Sequence, residues 1–238
     1  MKQRSLGDTG FQSKRDKRTR KQIFLEEMDK AVPWKRIEKR IKPYYHKTRR
    51  GPGRPQMPLE IMLRIHFMQQ WFGFGDQAME EALYDIQILR NFAGLDAFED
   101  HLPDETTILR FRHLLEKHHL SEAIFDEVQA VLVENNLLLK QGSVVDATLI
   151  DAPSSTKNKD KQRDPEMSQT KKGNQWYFGM KAHIGTDVQS GLVHTVQGTT
   201  AKDSDNSQLE ACLHGEEKFV LADRGYHKNS RTWRDLEV

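Results

Sequence analysis

SVVDATLI, residues 143–150, is where the chain changes character. The run is short, apolar and β-branched, with one Asp set inside it, and it reads as a buried strand. Three further stretches have the same look: YFGMKAHIGTD (177–187), GLVHTVQGTT (191–200) and KFVLADRGY (218–226), each bounded by Gly or Asp. Between the last two, DSDNSQLEACL (203–213) starts with Ser and Asp and reads as a helix. The polar stretch from Ser154 to Gln175 is read as a connection. Strand, strand, strand, helix, strand implies a crossover and hence a parallel pair within a mixed sheet, an α/β arrangement.

Asp is depleted in strand interiors, because its short polar side chain favours turns. Yet Asp146 lies within VVDATL, and Asp223 directly follows FVLA. A charge beside a buried apolar run is costly unless something compensates for it. Two such carboxylates on neighbouring strands can share a hard cation such as Mg²⁺, with Mn²⁺ as a substitute, and leave room for phosphate oxygens. Alternatively, each Asp caps its own turn.

Upstream of 142 the pattern is helical. Pro58 suits a first turn, and Leu59, Met62, Leu63, His66, Phe67 and Gln70 follow at helical spacing until Gly73 and Gly75. Asp76 can cap a second helix with Met79, Leu83, Ile86 and Leu89 inward, and Asp104 a third with Ile108, Phe111, Leu114 and Leu115 inward. Ser121 can cap a fourth, with Phe125, Val128, Val131, Leu132 and Leu139 inward. The stripes read as core.

Farther upstream, residues 1–56 hold 18 Lys+Arg against 6 Asp+Glu, whereas the rest of the chain holds 19 against 29. A basic arm ahead of an acidic body suits a polyanion; a solvated tail fits the same numbers. The expected division is therefore a basic arm and linker over 1–56, a helical region over 57–140 and an α/β region over 141–238. Only 36% of residues are apolar, so part of the chain is expected to pack no core. The single cysteine, Cys212, forms no internal disulfide and builds no thiolate zinc site, which suits a reducing, cytoplasmic setting. No apolar run approaches the roughly 18 residues of a membrane span. The N-terminus lacks the apolar core of a secretory signal.

Longer words identify a family. FLEEMDKAVPW (24–34), PLEIMLRIHFMQQWFGFGDQAMEEALYD (58–85), PDETTILRFRHLLEKHHL (103–120), GSVVDATLIDAPSSTKNKDKQRDPEMSQTKKGNQWYFGMKAHIGTD (142–187) and LADRGY (221–226) cover most of the chain. They resemble, in the family's order, the DDE transposases of bacterial insertion sequences, specifically the insertion-sequence-five-type group. The resemblance implies a ribonuclease H-like fold behind a helical N-terminal region. It implies metal-dependent cleavage and transfer of double-stranded DNA at insertion-sequence ends, by a homodimer or higher oligomer at the bacterial nucleoid. It places the first two carboxylates of the catalytic triad at Asp146 and Asp223. The third, a Glu on a helix well downstream with a Tyr and an Arg, has no match. Only RTWRDLEV follows Ser230, and Glu237, about 14 residues past Asp223, lacks that context. The third carboxylate is thus expected beyond residue 238, with poor cleavage by the chain as it stands. A non-catalytic DNA-binding remnant that regulates transposition is the other outcome.

DNA contacts are expected at several basic residues. Arg110 and Arg112, with Thr106, Thr107 and His113, suit a recognition helix. Arg49, Arg50 and Arg54, around Gly51 and Gly53, suit a minor-groove arm. Lys157, Lys159, Lys161, Arg163, Lys171 and Lys172 form a second basic patch, either facing phosphates or on a loop. Lys181 and His183 share one strand face and are candidates for phosphate contact or for ordering the metal site. Arg224 and Tyr226 flank Asp223 and are candidates for contact with the flexed DNA end. Trp176 and Tyr177 can stack on an extruded base or pack in a core. His194 and His227 are read as surface residues.

Overall fold

The computed structural model describes residues 18–45, 56–96, 100–154, 156–157 and 161–226. They fall into two compact units that divide between Val131 and Leu132. Among them no helix is long and apolar enough to cross a membrane.

The first unit is helical: α1 (Arg20–Ala31), α2 (Trp34–Tyr45), α3 (Leu59–Phe72), α4 (Asp76–Asp85), α5 (Gln87–Ala93), α6 (Glu105–Lys117) and α7 (Leu120–Glu134). The Thr19 side chain caps α1 by accepting from Gln22 N, and Asp104 caps α6 by accepting from Thr107 N at 2.7 Å. Gly73, with φ of 67°, ends α3 in the left-handed region where glycine is favoured. Leu63, Ile65, Met68, Met79, Leu83, Leu89, Ile108 and Leu115 form one buried core. Aromatic edges close it, Trp34 on Phe67 and Phe67 on Trp71 with ring centres 5.2 and 5.4 Å apart.

This differs from a basic arm over 1–56. Residues 20–45 are two helices whose Leu25, Ile37, Ile41 and Tyr45 are buried in the same core. Ile37, Ile41 and Tyr45 recur every fourth residue, so α2 has an apolar stripe that its many charges hide from a composition count. Some of those charges pair internally: Arg36 and Arg40 both hold Glu127, at 2.9 and 3.1 Å. The expected second helix is also two, α4 and α5, broken at extended Ile86. Leu139 lies beyond α7 and is exposed.

Arg112 grips Asp76 with two parallel bonds of 2.9 and 2.8 Å, and Gln69 Nε2 donates to the same carboxylate. The guanidinium holds the Asp76 carboxyl below its ordinary range. Arg112→Ala is expected to cost the helical unit about 2–3 kcal/mol, because Asp76 keeps a largely buried charge without its partner. Arg112→Lys should restore only part, since an ammonium cannot form the bidentate pair. Urea unfolding of the three proteins reads this directly; an unchanged Arg112→Ala midpoint would rule it out.

Half-buried His66 has its Nδ1 buried without a hydrogen-bond partner. Burial first, then the nearby Arg112 charge, lower its pKa from 6.5 to about 4. The folded imidazole stays neutral while the unfolded one protonates, so stability is full above pH 6.5 and falls as pH drops toward 4. A loss of roughly 2–3 kcal/mol across that window is expected. His66→Gln should flatten this slope in denaturation curves measured from pH 7 to 4; an unchanged slope would exclude His66 as its source.

The second unit is a mixed five-stranded sheet: β1 (Gly142–Asp151), β2 (Ser168–Lys172), β3 (Gln175–Asp187), β4 (Val193–Thr200) and β5 (Phe219–Ala222). β3 pairs antiparallel with β1 on one side and with β2 and β4 on the other, while β1 pairs parallel with β5. The expected parallel pair is therefore β1 with β5. The connection before β5 is two short 3-10 turns, Asp205–Gln208 and Glu210–Cys212, in place of the expected helix. Leu209 and Cys212, three apart, are the residues it buries, and a three-residue repeat suits a 3-10 turn. β2 lies in the polar stretch. It pairs through a two-residue Gly173–Asn174 loop whose glycine has φ of 62°.

Alternation gives the sheet two faces. Val145, with Ala147 and Val220 beside it, packs on Leu209, Cys212 and Tyr226. The opposite face carries Asp146 together with exposed Ile150, Val196, Phe219 and Leu221.

Candidate active site

The parallel register pairs Val144 with Leu221 and Val145 with Ala222. Asp146 is the next residue of β1 after this pairing and Asp223 the first residue past β5, so the two follow the last paired residues of adjacent strands. Both side chains are exposed. Asp146 Oδ1 accepts from its neighbour Ala147 N at 2.8 Å, and Asp223 Oδ1 accepts from Gly225 N. Among the described residues the second oxygen of each has no hydrogen-bond partner.

Asp187 shows what a structural carboxylate looks like in the same unit. It is buried and accepts from Leu139 N, Lys140 N, Gln189 N, Ser190 N and Ser190 Oγ at 2.7–3.1 Å. Asp146 and Asp223 have none of that enclosure. Their oxygens are hard donors facing water, the donor set that suits Mg²⁺.

Asp205 is a third carboxylate here, missed in the sequence because it was read as a helix start. A Cβ placed on Gly225 would lie 2.9 Å from Asp223 Oδ1 and 3.0 Å from Asp205 Oδ2, so the two carboxylates flank the same glycine. Lys181 Nζ donates to Asp205 Oδ1 at 2.9 Å and to Asp203 O at 2.8 Å. Lys181 therefore orders the acidic cluster instead of reaching out to phosphate. An Asp/Ser-rich loop opposite a strand lysine was the available signal.

His183 and Tyr226 also take a different place from the DNA contact expected of them. They are 0% and 1% exposed. Tyr226 Oη and His183 Nδ1 are 3.0 Å apart, and His183 Nε2 and Thr199 Oγ1 are 2.9 Å apart. This chain ties the turn after Asp223 to β3 and β4. Burial, and then the charge of Lys181, lower the His183 pKa against the opposing pull of Asp205 and Asp203. Burial pushes the Tyr226 hydroxyl well above its usual value, and the charges of Asp205, Asp146 and Asp223 add to it.

Among the basic candidates, Arg110 is exposed on α6, whereas Arg112 is committed to Asp76. Lys171 and Lys172 are exposed on β2, and Trp176, opposite Lys171, is 65% exposed and not part of a core. Arg163 lies over the Phe178 ring at 5.3 Å. Arg224 opens the turn Arg224–Tyr226. Arg49, Arg50, Arg54, Lys159, His227 and Glu237 lie outside the described residues.

No solved structure matches the chain. Two families do, and between them they span most of it. The family described as Transposase domain (DUF772) matches residues 12–114, and the one described as Transposase DDE domain matches residues 138–237. The helical unit carries the first match and the sheet unit the second, and the chain belongs to the DDE transposases of insertion-sequence type, which are DNA-cleaving and DNA-transferring enzymes.

Proposed function

We propose that this transposase, of the insertion-sequence-five-type group, binds the ends of its element and cuts and joins DNA there, with Asp146 and Asp223 as ligands for Mg²⁺ or Mn²⁺. The observation that supports the reading is that two exposed aspartates follow the last paired residues, Val145 and Ala222, of adjacent parallel strands. A bound divalent ion supplies charge stabilisation to the phosphorus oxygens. Cleavage breaks a P–O3′ bond as a water oxygen bonds to phosphorus. Joining repeats the exchange with the freed 3′ hydroxyl as nucleophile. Asp146 and Asp223 fix the geometry at phosphorus, Lys181 holds Asp205 beside them, and the buried Tyr226–His183 pair keeps the Asp223 turn in place.

Arg110, Lys171, Lys172 and Arg224, with Arg49, Arg50 and Arg54, are proposed to touch DNA, and a homodimer or higher oligomer is proposed to hold both ends. Replacing Lys171 and Lys172 together by Ala tests the phosphate role. The slope of log affinity against log salt should fall by about 2, evenly across DNA sequences. An unchanged slope would remove β2 from the interface.

A further inference from the structure

Three residues before Asp146 along β1, on the opposite face of the sheet, a second group of ligating side chains converges. Ser143 is fully buried, with Oγ 2.9 Å from His194 Nε2 and 3.0 Å from Glu217 Oε1. His194 is the extra residue of a β-bulge: Val193 pairs with Thr186 and Thr195 with Gly185, and the register shifts between them. A bulge re-aims a side chain, and here it turns inward a histidine that the sequence reading left at the surface. Gly185 makes the room, since a Cβ there would come within 2.8 Å of His194 Cε1. Glu217 is locked from behind, Oε1 accepting from His214 N at 2.7 Å and Oε2 from Gly215 N at 2.8 Å. His214 Nε2 is buried, has no hydrogen-bond partner among the described residues, and lies 3.4 Å from Glu217 Oε1. One ligand atom from each of His194, His214 and Glu217 lies within 4.8 Å of the others.

We propose that His194, His214 and Glu217 hold a zinc ion, with the Ser143 hydroxyl as the adjacent fourth oxygen. Two imidazoles and one carboxylate suit zinc and not Mg²⁺, which separates this centre from Asp146 and Asp223. Zinc bonds of about 2.0–2.1 Å in a tetrahedron put neighbouring ligand atoms roughly 3.3–3.4 Å apart. The 2.9, 3.0 and 3.4 Å spacings of Ser143 to His194, Ser143 to Glu217 and His214 to Glu217 need only small outward shifts, and His194 lies within 4.8 Å of the other two ligand atoms. Loading has a consequence at each imidazole. His194 Nε2 donates to Ser143 Oγ, which donates to Glu217, so coordination moves the His194 proton to Nδ1, facing Thr195 Oγ1. His214 Nδ1 now accepts from Glu216 N at 3.1 Å, which places the imidazole proton on Nε2. Coordination through Nε2 moves that proton to Nδ1 and breaks the exposed Glu216 bond, with no net proton change. The ion is structural. It clips β1 and β4 to the segment that leads into β5, the strand that delivers Asp223.

The test uses the full chain. Purified without chelator and dialysed, it should retain about one zinc per chain, and removing the metal should lower its melting temperature by on the order of 5 °C. Zinc and not Mg²⁺ should restore it. Cobalt in place of zinc should give the visible bands of a tetrahedral site, and amide exchange at Glu216 should quicken on loading. His194→Gln with His214→Gln should remove the retained metal and the bands. Glu217→Gln, whose single amide oxygen keeps one of the two backbone caps, should weaken zinc binding at least about 10-fold. A folded wild-type chain with no retained zinc, no cobalt bands and no zinc-dependent shift would overturn the proposal. So would double-variant protein that keeps zinc as well as wild type.

Discussion

In a transposase whose catalytic triad is complete, Asp146→Asn is expected to lower DNA strand cleavage by about 10³-fold or more while leaving folding and DNA affinity close to wild type. The side chain is exposed, and its one hydrogen bond is to its own neighbour, Ala147 N. Removing its charge should therefore change stability by only about 0.5 kcal/mol. Asp223→Asn should behave alike, because the amide oxygen can still accept from Gly225 N. The two groups act as a unit in this account, so the double variant should be no slower than either single one. Nicking of DNA that carries the element's ends, with wild type and variants at equal concentration, measures this. Wild-type rates from Asp146→Asn protein would move the chemistry elsewhere.

Tyr226→Ala should destabilise the sheet unit by about 3–5 kcal/mol. The ring is 1% exposed and packs with Val145, Leu209 and Cys212, the buried centre of that unit. Its loss also leaves His183 Nδ1 without its partner inside the protein. Tyr226→Phe keeps the packing and gives up only the hydroxyl, for about 1–2 kcal/mol. Amide exchange across β1 and β3 distinguishes the cases: strong acceleration for Ala, slight for Phe. Equal protection in Tyr226→Ala and wild type would show that the turn after Asp223 is not held by this core.

The strands were legible because their apolar runs are continuous and end in Gly or Asp. Asp146 stood out because a strand interior is the wrong place for an aspartate without a task. Less local features escaped. The stripe of α2 is three residues among many charges, so composition suggested an arm where a packed helix stands. β2 is Ser-Gln-Thr-Lys-Lys, with no alternation, and exists only because β3 pairs with it across a tight turn. Arg112 looked like a base-reading residue because its partner Asp76 is 36 residues away. His183 and Tyr226 looked available for DNA because exposure belongs to the tertiary fold, and a polar residue on a strand can face either way. Asp205 and His194 follow the same rule: one is brought to the site by Lys181 and the other is turned inward by a bulge.

Asp146 and Asp223 are proposed to form one metal site. Titration of the chain with Mn²⁺, followed by the loss of the free-ion paramagnetic signal, tests it without DNA and without turnover. The wild type should show a site that either Asp146→Asn or Asp223→Asn removes on its own, with nothing further lost in the double variant. Full Mn²⁺ binding by either single variant, or two losses that add as independent sites, would contradict it.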